Sequence, residues 1–329
     1  MAQLVKLLDY ISRYEKDLSR YPTQYIRLKK YQWDRMKTQW ENGADLAEWQ
    51  QEEVGEMEEV QEREKWFSPL FRLFGQRKTE LADEEAQALG TMDEEKSEED
   101  NFDFSPNIVY NPTNLDQLRR LYLDQLFHFQ IKWASSTLMD KSRVSPHYMR
   151  DTLLRSFAQQ LPDSYLLFYY PILKLQKAPV ELDIIMVTPV ECMCITVLEA
   201  EDVSAFIGSG DRFWVKKSGE NETKLLNPLI ALNRMEKIVA SIFNGQEIDF
   251  PIKKYLISRN GYVDYPGAPY DVTIVDRRSY ESWFTALKKL PVPLKLTQFK
   301  AAQAILDVGQ TTSISRLFGE EDQQLEEDE

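Results

Sequence analysis

Two neighbouring segments, Glu181 to Thr188 and Cys192 to Leu198, constrain this chain more than any other feature. Both read as β-strands, joined by the short turn Pro189, Val190 and Glu191. With a period of two, Glu181, Asp183, Ile185 and Val187 share one face of the first strand, so both acids point the same way. On the second strand Thr196 and Leu198 lie together, thirteen and fifteen positions after Asp183. A helix carrying Asp151 precedes the pair.

Adjacent strands lie about 5 Å apart, so an acid on each can share one ion. Mg²⁺ takes oxygen ligands, and once held by carboxylates it activates water and screens charge developing on a phosphate. A lysine two residues after the second acid would orient that water. Thr196 and Leu198 stand where the second acid and the lysine would be.

Further landmarks follow in order: Leu161, Pro162, Asp163 and Tyr165; Glu181 to Asp183; Asp211 to Trp214; Asn227 to Leu229; then Asn233 and Arg234. Residues from about 145 to 290 thereby resemble the nuclease-related (NERD) domain, a branch of the PD-(D/E)-x-K restriction-endonuclease-like superfamily. The resemblance implies an α/β fold with a restriction-endonuclease-like core, α-β-β-β-α-β, to which the residues before it add an N-terminal helical extension and an acidic linker. It puts Asp151 at the family's first-helix Glu, Asp183 at its metal-binding Asp, Thr196 at the Glu of E-x-K and Leu198 at its Lys.

Loss of those last two groups implies a catalytically inactive NERD-like protein, acting as an interaction or nucleic-acid-associated scaffold without a cofactor. The alternative is a divergent nuclease that binds Mg²⁺ or Mn²⁺ through Asp151, Glu181 and Asp183, with Glu199 nearby. A plainer reading pairs these acids with Arg212, Arg234 or Lys174, because isolated buried carboxylates are costly.

The 329-residue chain has a formal net charge of −14, a poor match for non-specific nucleic-acid binding, which relies on Lys and Arg displacing counterions. Cys192 and Cys194 lie in an apolar run and read as buried free thiols, which fits a reducing cytoplasm. The two histidines, His128 and His147, exclude a His-rich zinc site. Lys6 and Asp9 interrupt the first apolar stretch, and no segment approaches the length of a membrane-spanning helix.

Residues 1–42 read as a helical arm, whose Tyr25, Tyr31, Trp33 and Trp40 either stack on DNA or pack on the main domain. Residues 43–104 form an acidic linker interrupted by an apolar strip with Trp66, Phe67, Phe71 and Phe74. The strip's Arg-Leu-Phe-Gly ending recurs around Leu317 and Phe318, before the acidic tail, and suits binding a protein partner. Between them come a long helix within 105–144, packing on the core, the α/β domain at 145–310, and the tail at 311–329.

Overall fold

A computed structural model describes residues 1–43, 46, 110–137, 139–175, 178–200, 203–289 and 292–315. The chain divides into two units, one made of Met1–Lys30 with Leu126–Glu329, the other of Tyr31–Gln125. The candidate linker motif Trp66, Phe67, Phe71 and Phe74, and Leu317 and Phe318 of the tail, lie outside the described residues.

The first unit is mixed α/β. Its main sheet has the order β1-β3-β6-β7-β11-β13, from Gln3–Leu7, Leu166–Tyr169, Ile184–Val187, Cys192–Val197, Ile252–Ile257 and Val272–Val275. The two-residue β2 (Asp140–Lys141) pairs with β14 (Ile314–Ser315), and β4 (Ile172–Lys174) with β5 (Pro179–Glu181). A four-stranded sheet, β10-β9-β8-β12, takes Asn221–Leu226, Phe213–Ser218, Ala205–Ile207 and Tyr262–Asp264.

Within the main sheet β6 alone is antiparallel to its neighbours, pairing with β3 and β7, while β1, β3, β7, β11 and β13 share one direction. The central strands are buried along both faces because helices cover both. On one face Leu167, Tyr169, Ile184, Met186, Met193 and Ile195 meet Leu153, Leu154, Phe157 and Ala158 of a short helix, Thr152–Gln160. On the other, the helix Pro228–Gly245 packs on β7 and β11. Asn227 opens that helix by accepting from the Leu229 amide at 3.0 Å, and Pro228 at its first position forfeits no hydrogen bond.

The seven α-helices among the described residues are numbered α1 to α7: Tyr21–Glu41, Leu115–Trp133, Pro146–Arg150, Thr152–Gln160, Pro228–Gly245, Tyr280–Lys288 and Leu296–Asp307. The order α4, β3, β6, β7, α5, β11 therefore runs helix, three-strand meander, helix, parallel strand, with β1 and β13 added at the edges.

One expectation is corrected here. Residues 1–42 are not a helical arm throughout, because Gln3–Leu7 is the edge strand β1, parallel to β3 and buried at all five positions. Gln3 and Lys6 interrupt its apolar residues, and over five positions that pattern does not separate a strand buried on both faces from a helix. The aromatics of this segment divide accordingly. Tyr25 is fully buried against Trp133 in the first unit, ring centres 6.1 Å apart. In the second unit Trp33 meets Tyr122 at 5.3 Å, and the Trp40 indole donates to the Pro112 carbonyl at 2.9 Å, while Tyr31 stays exposed. Among the described residues, no helix is long and apolar enough to cross a membrane. Cys192 and Cys194 are buried free thiols.

Candidate functional site

Because β1, β3, β7, β11 and β13 run together and β6 runs against them, one rim of the main sheet collects five strand ends and one strand start. Tyr169 and Tyr170 come from the end of β3, Asp183 from the residue before β6, Thr196 and Glu199 from the end of β7, and Arg259 from just past β11. Asp151 caps α4 at the same rim. The carboxyl ends of strands in open α/β sheets are where ligands bind.

Asp151 is heavily engaged. Its extended backbone suits the N-cap position, where its Oδ1 accepts from the amides of Leu153 and Leu154 at 2.9 and 3.0 Å. Its Oδ2 accepts the hydroxyl proton of Tyr169 at 2.6 Å. Burial, and then that bond, push the Tyr169 phenol far above its ordinary value.

Asp183 accepts from the buried Thr196 hydroxyl at 2.5 Å. The threonine at the family's Glu position therefore satisfies the aspartate as a donor. Neither residue has the parity of Ile184, Met186, Met193 and Ile195, so the pair belongs to the sheet face covered by α5, whereas Tyr169 and Asp151 belong to the other.

Tyr170 lies within the electrostatic reach of both groups. It holds a left-handed backbone, φ 48°, uncommon for a residue with a side chain and a form of strain that concentrates at functional sites. Burial pushes its phenol up to about 12, helped by the charges of Asp183, Asp151 and Glu199. Tyr148 is also pushed up to about 12, by burial and then by Tyr10, Glu181 and Asp151.

The cation at this rim is Arg259. Its Nε and Nη2 grip the two oxygens of Glu199, the second at 2.8 Å, and Nη2 also donates to Thr152 Oγ1 at 3.3 Å. The two side chains keep 24% and 29% of their exposure, so the pair is sheltered yet reachable. Glu199 holds the guanidinium charged above its usual range.

A divalent ion, which the family resemblance implies, does not fit this donor set. Asp151 already accepts three hydrogen bonds, Asp183 one, and a neutral hydroxyl replaces the third carboxylate. Among the described residues no three His, Cys, Asp or Glu side chains converge to hold a metal. Glu181 does not join Asp183 on one strand, because it ends β5 in a separate hairpin and the chain breaks at Leu182 and Asp183 before β6 begins. Its backbone carbonyl, not its carboxylate, meets Arg234, at 3.4 Å. Leu198 offers only its amide, donated to the Ile257 carbonyl at 2.7 Å. The expected ion pairs with Arg212, Arg234 or Lys174 give way to hydroxyl and amide donors on Asp151 and Asp183. The sequence did flag Glu199, but not its partner Arg259; a lone cation directly after a buried strand was the available signal.

The sign of the pH dependence follows from the phenols. Below about pH 10 they are protonated whether the chain is folded or not; above it the unfolded chain sheds these protons first. Stability is therefore expected to hold up to about pH 10 and to fall as pH rises toward the folded values near 12 of Tyr148 and Tyr170. Near-ultraviolet phenolate absorbance should show these tyrosines titrating late, and Tyr170→Phe should soften the alkaline loss seen in denaturant titrations. Complete ionisation of all tyrosines near pH 10 would contradict the burial described.

A protein named RNA 2′,3′-cyclic phosphodiesterase, from Geobacillus stearothermophilus, is 37% identical to this chain over 131 residues. Those residues are 40% of this chain and 36% of that protein, so the chain spans about a third of that relative's length. No family model matches the chain, and no solved structure does. The likeness corrects the expectation of a catalytically inactive NERD-like scaffold, since the relative is named as an enzyme that cleaves a phosphodiester.

Proposed function

We propose that the chain is a phosphodiesterase-like enzyme, that its substrate is an RNA-type phosphodiester such as a 2′,3′-cyclic phosphate, and that the reaction centre is the rim around Arg259. The observation that carries this reading is the 131-residue likeness to the protein named RNA 2′,3′-cyclic phosphodiesterase. The rim supports it with a guanidinium beside a carboxylate and several protonated phenols. The helix, meander, helix, parallel-strand order supports a restriction-endonuclease-like core under that rim, a scaffold consistent with phosphodiester chemistry and with the NERD resemblance.

Arg259 is held in a fork-to-fork pair with Glu199, the geometry a guanidinium also uses for two phosphate oxygens. An incoming phosphodiester takes the place of the carboxylate on Arg259. Glu199, released, accepts a proton from the water whose oxygen attacks phosphorus. As the bond from phosphorus to the ribose oxygen breaks, Tyr170 donates its phenolic proton to the leaving oxygen. A phenol is protonated at neutral pH and so has that proton to give.

The test is hydrolysis of 2′,3′-cyclic nucleotides and of RNA ending in a 2′,3′-cyclic phosphate by the full chain. Arg259→Ala is expected to lower kcat/KM by about 10²- to 10³-fold, the cost of removing a preorganised charge clamp, and a chelator should leave the wild-type rate unchanged. No hydrolysis by the wild type, or an undiminished rate in Arg259→Ala, would sink the reading.

A further inference from the structure

The four-stranded sheet carries large apolar side chains on both faces, yet those of one face stay exposed. Phe206, Trp214 and Val263 are buried beneath it, whereas Ile207, Phe213, Leu226 and Tyr262, of opposite parity, keep 37%, 50%, 51% and 36% of their exposure. The register places these four on one surface, with Phe213 opposite Leu226, Ile207 opposite Val215, and Tyr262 opposite Ala205. Contiguous exposed apolar surface of this kind marks a binding site.

Its chemistry selects the occupant. The Arg212 guanidinium lies 5.6 Å from the centre of the Phe213 ring, and those of Arg277 and Arg278 lie 5.8 and 5.7 Å from that of Tyr262. Lys224, opposite Val215, adds a cation to the same face. Arg278 is neutralised by Asp276 and Lys217 by Glu222, so Arg212, Arg277 and Lys224 stand against Asp264 and Asp211. An aromatic face that carries more cations than acids has the charge a phosphate backbone requires.

We propose that this outer face docks single-stranded nucleic acid, with Phe213 and Tyr262 stacking unpaired bases and Arg212, Arg277 and Lys224 holding phosphates. Bases stack on aromatic rings and on guanidinium planes alike, and the rings here carry both. The face is separate from the Arg259 rim and does not rest on the phosphodiesterase reading. The chain nonetheless enters β12 at Tyr262, three residues after Arg259, so a strand lying on the sheet leads toward that rim.

Fluorescence anisotropy with the full chain and a labelled single-stranded RNA of about ten nucleotides, within the site size of such folds, tests this. Expected are affinity that falls steeply with salt, a loss of roughly tenfold for each of Phe213→Ala and Tyr262→Ala, and a shallower salt slope in Lys224→Glu/Arg277→Glu. Leu296→Ala, exposed on α7, should bind as wild type, and Arg259→Ala should keep binding even if hydrolysis is lost. Circular dichroism verifies that these surface variants fold. Binding unchanged in the Phe213→Ala/Tyr262→Ala double variant would overturn the proposal. So would equal affinity for a duplex of the same length, or a self-associating chain that binds no RNA and that the same variants render monomeric.

Discussion

Trp133→Ala is expected to cost about 4 kcal/mol of unfolding free energy, measured by urea titration, among the largest penalties for a single core truncation. Trp133 closes α2 at 1% exposure and is ringed by Tyr14, Tyr21, Tyr25 and Phe129, with centroids 6.1, 5.5, 6.1 and 5.0 Å away. Three contacts are edge-to-face, the arrangement the ring quadrupoles favour. The Arg13 guanidinium lies 5.5 Å from the indole centre, adding a cation over a buried π face. Removing the indole strips four rings of a partner and leaves a cavity that the short 3₁₀ turn Arg13–Glu15 and the start of α1 cannot both move to fill. Trp133→Phe retains much of the edge contact and should cost about half as much. A loss under about 1.5 kcal/mol for the alanine variant would show that this cluster does not tie the first thirty residues to the sheet.

That cluster also explains what the sequence could and could not disclose. Tyr25 could be an exposed stacking residue or a buried one, and helical spacing alone does not choose; the choice is made by Trp133, more than a hundred positions away. The strands β3, β6 and β7 were legible because each is a short apolar run bounded by turn residues and buried on both faces. The helix Pro228–Gly245 was legible from its Asn-Pro start and its Asn-Gly stop. By contrast β9 and β10 carry Lys216, Lys217, Glu222 and Lys224, residues with weak strand preference, and they pair mainly with one another in a small outer sheet. Their register is set by the two-residue turn Gly219-Glu220, where Gly219 takes φ 58°, a local signal that the charged residues flanking it obscure.

The rim was legible in part for a related reason. Parity arguments hold only while a strand is continuous. Applied through Glu181 to Val187 they placed two acids side by side, but the chain leaves β5 at Glu181 and enters β6 only at Ile184. Applied to Asp183 and Thr196 they held, because antiparallel pairing of Ile184 with Ile195 places the preceding and following residues together. The partners that define the rest of the rim, Tyr169, Tyr170 and Arg259, arrive from strand ends whose neighbours are set by sheet order rather than by spacing.

Asp151→Ala is expected to cost about 3 kcal/mol, from two separable losses. The first is the N-cap: the amides of Leu153 and Leu154, now satisfied at 2.9 and 3.0 Å, lose their acceptor, at about 1 kcal/mol for a typical cap. The second is the buried Tyr169 hydroxyl, which loses the oxygen it donates to at 2.6 Å and pays the desolvation of an unpaired donor, about 1–3 kcal/mol. Asp151→Asn separates geometry from charge. Its amide oxygen can still cap α4 and its nitrogen can donate to the Tyr169 oxygen, so the contact survives in the reverse sense; the phenolic proton loses its charged acceptor and the helix N-terminus loses a negative charge, together about 1 kcal/mol. Stability measured in urea should therefore rank wild type, Asn, then Ala, with the larger gap at the second step. Under the proposed reading, hydrolysis of a 2′,3′-cyclic phosphate assayed where all three are folded should follow a different order, nearly level, because Asp151 holds α4 against β3 and the proposal gives the substrate contacts to Arg259 and Glu199. If Asp151→Asn kept its stability but lost activity as completely as Arg259→Ala, the carboxylate would have to be moved from the scaffold into the reaction itself.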